Sequence, residues 1–186
     1  MRYIIIVSLL CCLACEQPLP VKEPIPLTED STFLTGIFFL VRHAEQISGH
    51  DSSLTAEGFQ RAGDLYRFLK DSAIQKIYAP SFADSIAIVD SLREYLHPDT
   101  ASYKTDSSGE GLIYEITRRN DWGKRLLIIG HGYALVPVMK SLKAKPPVDS
   151  IGYTDLFVVR KNRDSVKVKK FIYSNIPSIR AKSTEK

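Results

Sequence analysis

The stretch Gly36-Ile-Phe-Phe-Leu-Val41 decides the fold prediction, because it is short and continuously apolar. Such a run is typical of a strand that is buried on both faces of a sheet covered by helices. It ends at Arg42 and His43, so polar, chemically active side chains follow directly after the strand.

Helix and strand patterns alternate downstream of this run. Thr55 is expected to cap a helix whose apolar residues recur at three- and four-residue steps; they are Phe59, Ala62, Leu65, Tyr66 and Leu69. Ile74 to Tyr78 is predicted to form a second strand. Helical spacing then resumes and stops at His97-Pro98; its apolar positions are Phe82, Ile86, Val89, Leu92 and Leu96.

The alternation continues toward the C-terminus. The pattern predicts a helix over Gly111 to Asn120 and an apolar strand over Arg125 to Ile129. A turn at Gly130-His131-Gly132 should lead into a helix over Tyr133 to Leu142, with Pro137 tolerated in its first turn.

The last predicted unit is a hairpin. Thr154 to Arg160 should pair, across a turn at Asn162, with a strand in which Val166, Val168 and Ile172 alternate. Together these elements predict a layered α/β domain with a mostly parallel central sheet flanked by helices.

The residues before the first strand indicate export. Residues 1–14 combine Arg2, a brief apolar run and the small Ala14, which describes a signal peptide, and the run is shorter than the roughly 20 residues of a spanning helix. Leu13-Ala14-Cys15 resembles a bacterial lipobox, with Cys12 where an aliphatic residue is usual, and implies a lipid on Cys15. The alternatives are ordinary cleavage or an uncleaved anchor.

Four segments are therefore predicted. Residues 1–14 form the signal peptide, 15–31 the lipidated cysteine and a proline-rich extended spacer, 32–175 the folded domain, and 176–186 a basic tail. The expected location is the cell envelope, with the domain held by its lipid at the periplasmic face or the cell surface.

The charge is modest and unevenly placed. A formal net charge of +4 over 186 residues does not indicate nucleic-acid binding, and no such partner is expected. The basic excess lies in the run from Arg160 to Lys186, which we interpret as a solvated strand face and tail. A patch for nucleic acid or anionic lipid is the alternative interpretation.

Two histidines follow two predicted strands. His43 comes directly after the first strand, beside Arg42, and His131 follows the strand Arg125 to Ile129 by one glycine. Ligands of such sheets collect at the carboxyl ends of the strands, so both imidazoles should lie at one rim. An imidazole can attack phosphorus, a guanidinium matches phosphate oxygens, and glycines allow close approach of an anion.

At this point a family resemblance becomes specific. Leu40-Val-Arg-His-Ala-Glu45 resembles the Arg-His motif of the histidine phosphatase superfamily, also called phosphoglycerate mutase-like, and Ile128-Ile-Gly-His131-Gly resembles its second-histidine motif. Leu54-Thr55, with Gly58 and Ala62, is similar to the segment that opens the family's first helix. Ile151 to Val159 looks like its late strand. The resemblance implies a three-layer sandwich.

The resemblance also implies a reaction. His43 would be the nucleophile, Arg42 and His131 would bind the transferred phosphoryl group, and Gly132 would help to bind substrate. Neither a metal nor another cofactor is implied. The expected partner is a phosphorylated small molecule or a phosphoprotein, in addition to the membrane.

One position departs from the family pattern. Asp84 stands where a second phosphate-binding arginine is expected, which replaces attraction by repulsion unless Asp84 points away or a base such as Arg61 moves in. The alternative function is therefore a catalytically impaired, lipid-anchored binding module. The acid for the leaving group is left open among Glu45, Asp106, Glu110 and Glu115.

The remaining candidates have simpler interpretations. His50 and His97 are expected at the surface, and Trp122 is expected to pack within a loop. No histidine pair has the spacing of a helical zinc motif, so no metal site is predicted.

Overall fold

The computed structural model describes residues 34–44, 54–80, 92 and 96–175. The predicted signal peptide, Cys15, the spacer and the basic tail lie outside these ranges, as do Glu45, His50, Asp84 and most of the helix predicted before His97. Within the described ranges, none of the helices combines the length and apolar character that a membrane crossing requires.

Six strands form the central sheet: β1 (Gly36–Arg42), β2 (Lys76–Pro80), β3 (Asp99–Tyr103), β4 (Arg125–Gly130), β5 (Asp155–Lys161) and β6 (Val166–Ile172). Their order across the sheet is β3-β2-β4-β1-β5-β6. The first four strands in this order pair in parallel. β5 is antiparallel to β1, and β6 is antiparallel to β5. The mostly parallel sheet and the closing hairpin are thus confirmed.

Helices cover both faces of the sheet: α1 (Ala56–Leu69) on one side, and α2 (Glu110–Arg118) and α3 (Leu135–Ser141) on the other. Alternate residues of β1 explain the layers. Phe38 and Leu40 pack with residues of α2 and α3, whereas Phe39 and Val41 pack with residues of α1. The three-layer sandwich is confirmed.

Helix α1 begins as predicted. The Thr55 hydroxyl accepts a hydrogen bond of 3.0 Å from the Gly58 amide, which caps the helix. The prediction was wrong for Phe59, which is 59% exposed. Arg61 is instead fully buried, because it shares the inward stripe of Gly58, Ala62, Leu65 and Leu69 at three- and four-residue steps.

The starts of β2 and α3 differ from expectation, and the strand β3 was not predicted. β2 begins at Lys76 rather than Ile74, because its pairing with β3 starts at Lys76. β3 is an edge strand that the sequence pattern did not indicate. Only Ala101 and Tyr103 of β3 are buried, so its apolar signal is weak. α3 begins at Leu135 rather than Tyr133, because the amides of Ala134 and Leu135 both donate to the His131 carbonyl and form a turn.

The loop after α2 is packed by two side chains. Trp122 is buried, as predicted, and its Nε1 donates to the Thr117 hydroxyl at 3.0 Å. Asp121 is 1% exposed and accepts hydrogen bonds from Lys76, Lys124 and the Tyr78 hydroxyl. Burial alone would raise the pKa of Asp121, but the bonds from Lys124, Tyr78 and Lys76 outweigh it and lower that pKa.

Candidate active site

The two histidine motifs meet at the carboxyl end of the parallel strands. β1 and β4 are neighbours, and Arg42, the last residue of β1, lies opposite Gly130, the last residue of β4. The His43 amide donates to the Gly130 carbonyl at 3.0 Å, which extends the pairing by one residue. The sheet register therefore brings His43 and His131 together, although 88 positions separate them.

The two imidazoles are in direct contact. His43 Nε2 lies 2.9 Å from His131 Nδ1, and the ring planes are nearly perpendicular at 86°. His43 Nδ1 lies 2.9 Å from the Ala44 carbonyl oxygen. A carbonyl oxygen can only accept, so Nδ1 of His43 carries the proton and Nε2 carries the lone pair. His131 Nδ1 is then the donor between the rings.

The turn that carries His131 is fixed by close packing. The amide of Ile151 donates to the Gly132 carbonyl at 3.1 Å. A Cβ atom on residue 132 would lie 2.2 Å from the Ile151 carbonyl oxygen and 2.8 Å from the Ser150 hydroxyl. Gly132 is thus required for close approach of two backbone segments. Its expected role in substrate binding stays a prediction.

Arg42 presents a cation to the same rim. Its Nη2 donates to the Tyr153 hydroxyl at 3.0 Å, and its guanidinium carbon lies 3.8 Å from the centre of the Tyr153 ring. Arg42 Nε is buried, and among the described residues it has no hydrogen-bond partner. Nor does any carboxylate within the described ranges form an ion pair with Arg42. An anionic ligand would satisfy this donor.

Tyr153, which was not assigned to the site from the sequence, lies beside it, as does Arg61, which was named only as a possible substitute for the missing arginine. Tyr153, in the loop before β5, holds Arg42 and points its ring edge-on to His43, with 6.2 Å between ring centres. The Tyr173 hydroxyl donates to the Tyr153 carbonyl at 2.6 Å and fixes this loop. Arg61 brings a second guanidinium to 5.8 Å from the Tyr153 ring centre.

Of Arg61 and Tyr153, only Arg61 could be recognised from the sequence. Arg61 is a charged residue within the apolar stripe of a helix, and such a residue is seldom fully buried without a polar environment. The contact of Tyr153 with Arg42, in contrast, joins residues 111 positions apart, so local pattern does not reveal it.

An exposed aromatic side chain lies at the rim. Tyr133 stacks on His131, with ring centres 5.6 Å apart and planes 7° from parallel, and it is 70% exposed. Stacking of this kind restrains the His131 ring. The outer face of Tyr133 is left to solvent or to a ligand.

Two of the candidate acids, Asp106 and Glu115, are engaged in local contacts. Asp106 caps its own loop by accepting from Ser108, Gly109 and Gly111; burial would raise its pKa, but these bonds lower it. Burial would likewise raise the pKa of Glu115, and Arg118 and Arg119 lower it. Both stay ionised at neutral pH. Glu110 is an exposed first residue of α2.

His97 lies away from this site. It is exposed and precedes β3, so it lies at the amino ends of the parallel strands, opposite the ends that carry His43 and His131. Its predicted surface position is confirmed.

Comparisons with known proteins identify the architecture. No protein-family model matches the sequence, and a search of curated proteins finds no match. Among solved structures, the candidate phosphohistidine phosphatase SixA from Agrobacterium tumefaciens superposes with a TM-score of 0.58 at 14% identity, covering 76% of this chain and 100% of SixA. The chain has the histidine phosphatase fold.

Two further structures have the same histidine phosphatase fold. The α-ribazole phosphatase of Shigella flexneri has a TM-score of 0.58 at 13% identity and covers 74% of this chain and 96% of its own. A mycobacterial glucosyl-3-phosphoglycerate phosphatase, solved with VO3, has a TM-score of 0.56 at 12% identity and covers 74% and 98%. Since these names differ in substrate, the fold leaves the substrate to the side chains at the strand ends.

Proposed function

We propose that this chain is a phosphatase that hydrolyses a phosphomonoester or another phosphoryl compound through a phosphohistidine on His43. The observation that carries the proposal is the pair of contacts made by the two ring nitrogens of His43. The Ala44 carbonyl holds the proton on Nδ1, so the lone pair of Nε2 faces the rim, beside His131 and a cation with an unused buried donor. These contacts support the roles of nucleophile for His43 and of anion-binding partners for His131 and Arg42.

Substrate binding should open the contact between the rings. The 2.9 Å between His43 Nε2 and His131 Nδ1 leaves no room for a phosphoryl group. Phosphate oxygens would take over the His131 donor and the unpartnered Arg42 Nε. Both interactions strengthen as negative charge builds up on the equatorial oxygens, which is the condition for faster chemistry rather than tighter binding alone.

The reaction then has two displacements. The Nε2 lone pair of His43 forms a bond to phosphorus while the bond to the leaving oxygen breaks and its electron pair departs with that oxygen. Water next attacks phosphorus and releases a proton to solvent, the N–P bond breaks, and its electrons return to Nε2. The Ala44 carbonyl stabilises the positive imidazole of the intermediate through Nδ1–H.

We further propose that good leaving groups are preferred. Among the candidate acids that the structure describes, Asp106 is held by hydrogen bonds from its own loop and Glu115 by Arg118 and Arg119, and the lowered pKa of each disfavours the protonated form that a general acid needs. Aryl phosphates, acyl phosphates and phosphohistidine need no such proton. This preference supports a phosphoprotein or an activated small phosphate as the partner.

The test is hydrolysis of an aryl phosphate by the full chain in mild detergent, with chelator and without added metal. Wild type is compared with His43→Ala and with His97→Asn, which removes a surface imidazole but tolerates its left-handed backbone (φ 51°). We expect turnover in wild type and His97→Asn, and a loss of at least about a thousandfold in His43→Ala. A rapid alkaline quench should trap phosphate on His43.

Two results would contradict the proposal. Equal turnover in wild type and His43→Ala would place the chemistry elsewhere. Background rates in all three proteins, together with vanadate binding measured by calorimetry, would favour the binding module that Asp84 suggests.

We also propose that the chain is exported and anchored through a lipid on Cys15, since the signal-peptide pattern and the lipobox resemblance both end there. The domain would then act at the periplasmic face or the cell surface.

A further inference from the structure

A second group of cationic residues lies near the amino end of β1, whereas His43 follows its carboxyl end. A cavity of about 490 Å³ is lined by Lys143, Lys145, Lys161, Arg163 and Asp164. We call it the basic cavity. Lys161 is the last residue of β5 and pairs with Gly36, the first residue of β1, whereas His43 follows the last residue of β1. Seven strand residues therefore separate the two sites.

The basic cavity has an excess of positive charge among its lining residues. Four of them are cationic and one, Asp164, is a carboxylate. Within the described part of the chain, Lys143, Lys145 and Lys161 take part in no ion pair. Like charges brought together in a concave surface raise the local concentration of anions.

Lys161 is the most unusual member. It is only 6% exposed. Burial lowers its pKa, and the charge of Lys143 lowers it further. A lysine whose alkyl chain merely covers apolar neighbours such as Val166 and Val168 would extend its ammonium into open water. Lys161 instead lines a cavity together with Lys143, whose positive charge acts on it.

Lys143 occupies a position that favours glycine. The Lys143 amide donates to Lys140 and the Ala144 amide to Met139, which closes α3 with the paired bonds of a Schellman motif. Lys143 has φ 63°, in the left-handed region that glycine adopts without cost. The side chain that replaces glycine here lines the basic cavity.

We propose that the basic cavity is a second anion-binding site, specific for a ligand that carries a phosphate group with at least two negative charges. The cavity exceeds the size of a bare phosphate and lies within the roughly 300 to 1,000 Å³ of small-ligand sites. Arg163 supplies a fork that fits phosphate oxygens, and Ser165 supplies a hydroxyl. The site is independent of the reaction proposed for His43.

A neighbouring hollow extends the same cationic surface. It has a volume of about 430 Å³, shares Lys161 and Ser165 with the basic cavity, and adds Arg160 and Lys167. Thr35 and Gly36, where the described domain begins, also line it. The phosphate group could therefore belong to a soluble ester or to a phospholipid head group near the N-terminal segment.

The test is calorimetric titration of the full chain, in detergent and phosphate-free buffer, with inorganic pyrophosphate. Lys161→Met keeps the alkyl volume and removes the charge, and we expect it to lose one equivalent of bound pyrophosphate or to weaken that equivalent at least about tenfold. Lys143→Gly removes a charge while relieving the backbone, so it should weaken binding without lowering the melting temperature.

Lys70→Gln is the matched control, because it removes one exposed positive charge from the end of α1 and should leave the titration unchanged. Equal affinity in all four proteins would overturn the proposal, as would an equal loss in Lys70→Gln, which would indicate adsorption to net charge. Loss of one equivalent on Lys161→Met supports it whether or not His43 also binds pyrophosphate.

A competition experiment separates the two sources. Detergent micelles containing phosphatidylglycerol are compared with micelles containing phosphatidylcholine. Displacement of pyrophosphate by the anionic lipid alone would assign a lipid head group, and displacement by neither would assign a soluble phosphate ester.

Discussion

Replacement of Gly132 by alanine should disturb both sides of the candidate active site at once. The added Cβ would lie 2.2 Å from the Ile151 carbonyl oxygen, about 1 Å inside ordinary contact, and this oxygen belongs to the backbone, which cannot rotate away as a side chain can. Overpacking of this kind costs about 1 to 3 kcal/mol. For a chain of this size the melting temperature should fall by about 2 to 10 °C.

The effect on activity should be larger than the effect on stability. A shift of the Ile151 segment moves Tyr153, and with it Arg42, while the turn itself carries His131. A misplacement of about 1 Å can cost about a hundredfold in rate. We therefore expect kcat/KM for an aryl phosphate to fall about a hundredfold at a temperature where the variant is folded.

Gly63→Ala is the matched control. Gly63 lies inside α1, and an added Cβ would meet only the flexible end of Arg67, at 3.5 Å. Alanine should raise stability there by about 0.5 to 1 kcal/mol and leave kcat/KM unchanged. If Gly132→Ala matches wild type in both melting temperature and kcat/KM, the turn is not held by the contact described.

Three further predictions each concern a single substitution. Tyr153→Phe removes the bond to Arg42 but keeps the ring, so kcat/KM should fall about two- to tenfold, whereas a loss beyond about a hundredfold would mean that the hydroxyl takes part in the chemistry. Asp121→Asn should lower the free energy of unfolding in urea by about 3 kcal/mol at pH 7, because two lysines lose a buried partner. The folded-state pKa of Asp121 is lowered, so its contribution to the free energy of unfolding is full above the unfolded pKa of about 3.9 and is lost as the pH falls through the folded-state pKa. The free energies of unfolding of wild type and Asp121→Asn should therefore become equal in acid. A difference that does not change with pH would contradict this. Cys15→Ser should abolish lipid attachment detected by mass spectrometry, and an unchanged lipid adduct would refute the assignment of Cys15.

The elements that could be predicted are those with a strong local signal. The short apolar runs of β1 and β4 are typical of strands buried on both faces, and Thr55 marks the start of α1 by its side-chain chemistry. These elements also determine the contact between His43 and His131, because parallel neighbours bring their carboxyl ends to one edge. The strand β3 was missed because an edge strand needs few apolar residues.

The parts that could not be predicted depend on tertiary contacts. Phe59 and Arg61 are two residues apart on one helix, and hydrophobicity alone assigns the first to the core and the second to solvent. The structure reverses this assignment because the inward stripe follows Gly58 and Ala62. Tyr153 has no local signal, since its relation to Arg42 arises only when β5 pairs with β1.

The basic run near the C-terminus shows the same limit of local pattern. Lys167 and Lys169 on β6 are exposed, as a solvated strand face requires. Lys161 belongs to the same run of charges, yet it is buried beside Lys143, which comes from the end of α3. Charge counted along the chain cannot separate these cases, because Lys161 differs from its neighbours only in what the fold places opposite it. The same sheet that brings His43 and His131 together at the carboxyl end of β1 therefore brings Lys143, Lys145 and Lys161 together near its amino end.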